Sequence, residues 1–336
     1  MRRAAILVCC LGSTTAQNGP FRVQTKVVQV PVRVTDKKGQ NLDGFTARDF
    51  VVLEDGLRHE ITVDDFTTGM APISLVIAIQ TSGISTPALT KVRRIGNMIQ
   101  PLVTGLRGEA AVVTFGSKIT WLQDFTSKDE RVSAAVKNLK PESSMQQARM
   151  LDAIATAADR MTDRKGRKVL LLISENRDRG SKTTFPQALE AVEREGIEVF
   201  GAHYSAYATA LIAKPKDLPD LSAPPVTAID PSEEDDGPPG VDLLGMLFEL
   251  SRLGKTNAIQ ALTQATGGAD YPWVKERGIE NAIEQLGVEV HSQYVLSFPQ
   301  SGSSAGMHRI EVSVPGRSDL RIRSRRFYWA DPIETH

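Results

Sequence analysis

The sequence predicts a doubly wound, mainly parallel α/β sheet inserted in a small antiparallel β-sandwich. Four apolar runs, "ISLVIAI", "AAVVTF", "KVLLLIS" and "IEVFGAHY", alternate with amphipathic stretches of helical spacing, the order that builds a parallel sheet covered on both faces. Before and after them the chain alternates apolar and polar residues, as half-buried strands do. Its 336 residues allow one substantial core and an appendage.

The first residues, "MRRAAILVCCLGSTTAQ", place two arginines before an apolar run from Ala4 to Leu11 and then small residues. This pattern is a cleaved secretory signal over residues 1 to 16. The run is too short for a stable span, which takes about 20 apolar residues, so the mature chain is expected to be secreted or periplasmic. Lipid attachment at Cys9 or Cys10 is the alternative, although Val8 and Cys9 are poor matches to the small residue such a site wants. Both cysteines of the chain lie here, so the mature protein is expected to have neither thiol nor disulfide and cannot be a cysteine enzyme.

Residues 17 to 70 form the N-terminal strands. Val28, Val30, Val32 and Val34 share one face and Lys38-Gly39 reverses the chain; a second hairpin turns at Asp55-Gly56. So few strands need partners from elsewhere. The α/β unit occupies residues 71 to 291. Between its strands, Val92, Ile95, Ile99 and Leu102 have helical spacing, as do Val132, Ala135, Val136 and Leu139, while Pro186 opens a helix that Gly196 closes. Residues 213 to 241 are rich in proline and acid without an apolar period and read as a mobile surface insertion. A helix over "VDLLGMLFELSRL", another over "TNAIQALTQATGG", an extended "ADYPW" and a helix with Ile279, Ile283, Leu286 and Val290 on one side follow. From 292 to 336, "SQYVLSF", "HRIEVSV" and "LRIRSRRFYW" read as three strands that complete the sandwich.

In an open parallel sheet, ligands sit beyond the carboxyl ends of the strands. Three segments should meet there: the loop after Ile79, the loop before the helix at Leu151 and the loop after Ile173. With "VIAIQTSGIS", "AAVVTFGSKI", "MQQARMLDAI" and "KVLLLISENRDRGS" in those places, residues 72 to 291 resemble a von Willebrand factor A-type domain. The flanks, "VPVRVTDKKGQNLDGFTARDFVVLEDG" and the tail strands, are similar to an acidobacterial family of exported proteins carrying such a domain.

The resemblance implies a metal-ion-dependent adhesion site, with D-x-S-x-S after the first strand, a threonine before a later helix and an aspartate after the fourth strand. Matched onto this chain, those positions are Gln80, Ser82, Ile84, Ala148 and Glu175, with Ser85 one place late. Only Ser82 keeps the family's residue. Magnesium wants near-octahedral oxygens at about 2.0 to 2.1 Å. Gln80 offers a neutral oxygen, Ile84 and Ala148 offer none, and Glu175 carries its carboxylate one methylene further out. At the roughly tenfold cost of an outer-shell change, three losses compound to about a thousandfold, so no cofactor is expected. Magnesium enters only if a shifted site uses Ser82, Ser85 and Glu175. Ser82 reads as a turn or helix cap before it reads as a ligand, and Glu175 equally suits a pair with Arg177 or Arg179.

No Ser, His and Asp arrangement stands out, and the five histidines have no zinc spacing. His203, on an apolar strand, reads as a satisfied core histidine, and Trp121 and Trp273 as packing residues. The arginines of "RIRSRRFYW" alternate with Leu320 and Ile322, which puts them on a solvated strand face. Forty acidic and forty basic residues give no overall field toward nucleic acid or membrane. The expectation is a non-enzymatic, exported adhesion-type module with a protein or cell-surface partner.

Overall fold

The computed structural model describes residues 27–64, 71–82, 85–142, 147–204, 250, 254, 257–273, 277–300 and 305–331. The segment expected to be a signal, the stretch 213 to 241 expected to be an insertion, nearly all of the helix expected over 241 to 253, and Ile84 lie outside the described residues.

In chain order the strands are β1 (Val27–Asp36), β2 (Val51–Glu54), β3 (Leu57–His59), β4 (Thr62–Asp64), β5 (Ile73–Gln80), β6 (Glu109–Phe115), β7 (Ile119–Thr126), β8 (Arg167–Ser174), β9 (Glu198–His203), β10 (Tyr294–Pro299), β11 (Gly306–Ser313), β12 (Leu320–Ser324) and β13 (Phe327–Ala330). The α-helices are α1 (Ser85–Val92), α2 (Asp129–Lys137), α3 (Met150–Met161), α4 (Phe185–Arg194), α5 (Ala258–Thr266) and α6 (Gly278–His291).

The mainly parallel sheet has the order β7-β6-β5-β8-β9. β5 lies at its centre, parallel to β6 and to β8, and every one of its residues is buried. Its side chains alternate between two layers, as the pleat requires. Leu75, Ile77 and Ile79 pack with Leu89 of α1, Val132 and Val136 of α2 and Ile283 and Leu286 of α6. Val76 and Ala78 face Ile154 of α3, Leu189 of α4 and Leu262 of α5. The four apolar runs thus take the places expected of them.

One strand carries no expectation from the sequence, and one expected helix differs from what forms. "ITWLQDFT" forms an edge strand, β7, antiparallel to β6; its alternation of half-buried and exposed residues lacks the continuous apolar signal of its neighbours. The helix expected through Val92, Ile95, Ile99 and Leu102 is broken. α1 stops at Val92, and a 3-10 turn at Ile95–Met98 and a π turn at Gln100–Thr104 follow. Pro101 has no N–H for an α-helical bond, yet Ile95, Ile99 and Val103 still reach the core.

Strands from both chain ends mix in two four-stranded antiparallel sheets, β12-β1-β10-β4 and β13-β11-β2-β3. β1 bonds β10 on one side and β12 on the other, while β2 bonds β11. One apolar cluster joins them: Val30, Val32 and Val34 of β1, Leu296 and Phe298 of β10, Val52 of β2, Ile310 of β11 and Tyr328 of β13.

"LRIRSRRFYW" is two strands, not one. The chain leaves β12 at Ser324 and enters β13 at Phe327, in the other sheet. At the crossing Arg325 is buried and its Nη2 reaches Glu193 of α4 at 2.8 Å. Arg323 meets buried Glu289 of α6, which Arg33 of β1 also binds at 2.9 Å. The solvated face expected for the tail arginines therefore fails for Arg323 and Arg325. They join the antiparallel sheets to the helices, and Phe327 packs into the α/β core beside them.

Candidate functional site

Gln80 ends the central strand, between Phe115 of β6 and the end of β8, and is 3% exposed. Each end of its carboxamide has a partner. Oε1 accepts the N–H of Glu175 at 3.0 Å, and Nε2 donates to the Ser82 carbonyl at 3.4 Å. One neutral side chain thereby ties the loop after β5 to the loop after β8.

The other sequence-matched positions gather at this edge in part. Ser82 is buried two residues past Gln80. Ser85 opens α1. Ala148 is buried just before α3, and its backbone forms a two-way bridge with Arg179, N–H to O at 2.9 Å in both directions. That bridge holds the loop before α3 against the loop after β8. Glu175 is 9% exposed, and its Oε1 has no hydrogen-bond partner among the described residues. Burial drives its carboxyl up to about 7, against the weaker downward pull of Arg179, Arg177 and the Gln80 side chain. The ion pair expected with Arg177 or Arg179 is not formed; both arginines are exposed.

The sequence reading missed the groups that hold these loops in shape. Asp178 Oδ1 accepts the Leu151 N–H at 2.9 Å and the Ser181 hydroxyl at 2.6 Å, while Ser181 Oγ accepts the Asp152 N–H at 3.1 Å. Asp152 in turn accepts the N–H groups of Lys182 at 3.0 Å and Thr183 at 2.8 Å, and pairs with Arg149. Burial pushes the Asp152 carboxyl up, but bonds from Thr183, Arg149 and Lys182 outweigh it and bring it to about 2. Glu142 binds the Ser117 N–H at 2.9 Å and the Ser117 hydroxyl, and its own N–H donates to Thr81 at 2.7 Å. A Cβ at Gly116 would run into the Glu142 carboxylate and stand 3.1 Å from the Ser82 Cβ, so the position before Ser117 has little room for a side chain. The spacing Asp178-x-x-Ser181 is the sequence signal that could have exposed the first of these turns.

Elsewhere, His203 Nδ1 lies 2.7 Å from Asp270 and is half-buried, a partnered histidine at the sheet end rather than a core one. Trp273 is buried and donates to the Ala202 carbonyl at 3.1 Å. A cleft of about 520 Å³ lies away from the strand carboxyl ends, where Arg167 and Lys168 at the start of β8 face Val28, Trp329 and the end of α4. Among the described residues no group of three or more His, Cys, Asp or Glu side chains is placed to share a metal ion, and no helix is long and apolar enough to cross a membrane.

No protein-family model matches the sequence, and a search of the curated proteins finds no match. Solved structures give distant likenesses. The conserved hypothetical protein BatB from Bacteroides thetaiotaomicron aligns at 15% identity and a TM-score of 0.42, over 66% of this chain and 98% of its own. An aerotolerance-related membrane protein from Bacteroides fragilis aligns at 14% and 0.41, over 65% of this chain and 99% of its own. The vWF domain of the type V pili tip protein Mfa5 from Porphyromonas gingivalis aligns at 18% and 0.27, over 32% of this chain and 39% of its own. Likeness this distant carries no argument about ligands, which rest on the geometry above.

Proposed function

We propose that this chain is an exported, non-enzymatic interaction module. A von Willebrand factor A-like unit, set into a β-sandwich made from both chain ends, presents the loops at the carboxyl edge of its sheet to a protein or cell-surface partner. The observation that carries the reading is the bonding of Gln80. Where the related domains use an aspartate to hold an ion, this chain spends a carboxamide on closing the loops themselves, through the Glu175 N–H and the Ser82 carbonyl.

The described residues at that edge do not fit magnesium. The Gln80 oxygen is occupied by an N–H, Ala148 contributes only backbone atoms already bonded to Arg179, and the carboxyl of Glu175 is driven toward its neutral form. A hard cation needs several charged or strongly polar oxygens in fixed array. The edge instead supports contact through preformed loops, since the bonds of Asp152, Asp178 and Glu142 fix them in advance. Export and the narrower resemblance to the acidobacterial family belong to the same proposal.

A second reading, a metal-dependent binder with a shifted site at Ser82, Ser85 and Glu175, draws on one observation, the buried Oε1 of Glu175 without a partner. Thermal unfolding followed during magnesium and manganese titration separates the two. A bound ion at a hundred times its dissociation constant adds about 2.7 kcal/mol; the module reading expects no shift, and a saturable upward shift would replace it with the second.

A further inference from the structure

We infer that the partner surface recognised by this edge is an acidic polypeptide segment, held by a crown of cationic side chains. The inference rests on the interaction-module reading and names the chemistry of its partner. Lys118, Arg177, Arg179 and Lys182 are exposed, and among the described residues none of them forms an ion pair. Backbone bonds make their loops contiguous. Gly116 donates to Lys118 O and accepts from the Arg149 N–H, Ala148 bridges Arg179, and the Lys182 N–H reaches Asp152.

The carboxylates of the same loops are turned the other way. Asp152 and Asp178 are spent on backbone N–H groups of the two neighbouring loops, Glu142 is spent on Ser117, and Glu175 is buried. Positive charge is therefore presented outward and negative charge consumed inward, although the whole chain is neutral at forty against forty. A local field of this kind steers and orients an anionic partner, and the two guanidinium groups suit carboxylates in paired hydrogen bonds.

The surroundings favour peptide over the other polyanions. Phe115 and Phe185 are buried, and the half-buried ring of Trp121, three residues past Lys118, is already covered by the Arg160 guanidinium at 4.7 Å, so base stacking finds little free ring face beside these loops. The exposed large apolar residues Val27, Leu57, Leu106, Leu122 and Val288 lie outside these loops, so among the described residues the loops offer no apolar face to a bilayer.

The test is selection of random displayed dodecapeptides on the full chain, with a synthetic Glu-rich peptide measured afterwards by fluorescence anisotropy. The expected result is enrichment of Asp- and Glu-rich sequences. Their affinity should fall about tenfold or more, since single exposed charges count for little but three act together, in the variant Arg177→Gln, Arg179→Gln, Lys182→Gln. It should hold within about twofold in a control, Lys38→Gln with Arg58→Gln, which removes exposed cations of the antiparallel sheets. Enriched peptides without acid, still lost in the triple variant, would keep the interaction reading and overturn the acidic partner. Equal loss in the control variant would overturn it as non-specific charge. Tighter binding to a single-stranded oligonucleotide or to phosphatidylserine vesicles would overturn it in favour of those surfaces. No enrichment from the library would sink both readings.

Discussion

Replacing Glu175 by Gln should stabilise the protein, and by an amount that grows with pH. The carboxyl lies at about 7 in the folded chain against 4.5 when free, because burial outweighs the pull of Arg179 and Arg177. Below the unfolded value both states are protonated and the residue costs nothing. As pH rises through 4.5 the unfolded chain ionises while the folded chain keeps its proton, so stability falls until the folded group also ionises near 7. At about 1.4 kcal/mol per decade, that displacement corresponds to roughly 3 kcal/mol lost by the parent at pH 8 and almost none at pH 4. Glutamine imitates the neutral acid in shape and has nothing to ionise. Urea unfolding of parent and Glu175→Gln should therefore superimpose near pH 4 and separate to about 3 kcal/mol near pH 8. Taking the difference removes other titrating groups, buried Glu193 among them. Asp152 gives a control of opposite sign. Its carboxyl is held at about 2, so Asp152→Asn should destabilise by about 2 kcal/mol above pH 4, the effect fading as pH falls through 3.8 toward 2. A Glu175→Gln difference that stays flat with pH, or a variant weaker than the parent at pH 8, would refute a carboxyl governed by burial.

Exchanging Gln80→Asp, Ile84→Ser, Ala148→Thr and Glu175→Asp restores the oxygens of an adhesion-type site. That variant should gain a magnesium-dependent rise in melting temperature that the parent lacks, and a folded variant indifferent to metal would show the residue matching to be wrong. Arg325→Met leaves Glu193, fully buried, without its cation. The expected loss is about 3 kcal/mol, larger at pH 8 than at pH 5 because the buried carboxyl, deprived of the cation that eases its ionisation, keeps a proton that the unfolded chain releases; adding Glu193→Gln should recover most of it, and a single variant as stable as the parent would discount the junction pair. Ending the chain at Val290 removes both neighbours of β1, since β10 and β12 flank it. Amide exchange across residues 27 to 64 should then accelerate sharply, and unchanged protection would mean that these strands stand alone.

The sequence by itself determined the alternation of apolar strand and helix, the place of Gln80 at the end of the central strand, and the joining of the two chain ends. The first two are written in periodicity and in continuous Val, Ile and Leu runs, signals that depend on residues adjacent along the chain, and the third in the strand count of each end, too small to stand alone. "ISLVIAI" could hardly be anything but a central strand, and it is buried throughout. The Thr184 cap with Gln187 and the left-handed Gly267 closing α5 are likewise local, as are Asp55 and Gly56 at the hairpin turn.

What only the tertiary structure decided depends on residues far apart in sequence. "ITWLQDFT" becomes a strand because β6 has a free edge to pair with, and "LRIRSRRFYW" breaks in two because each half finds a different sheet. The tail arginines looked solvated because alternation reports which side of a strand faces away from its own core, not what lies beyond it. Glu193 and Glu289, on helices more than thirty residues upstream of or beside that tail, turned Arg325 and Arg323 inward. The candidate site divides in the same way. That Gln80 lacks a charge was legible in one letter, but that its carboxamide spans two loops, that Glu175 is buried deeply enough to hold its proton, and that every nearby carboxylate but that one is spent on backbone N–H groups follows from how β5, β8 and α3 come together. Burial and hydrogen-bond commitment are properties of neighbours in space, and a chain does not list those neighbours in order.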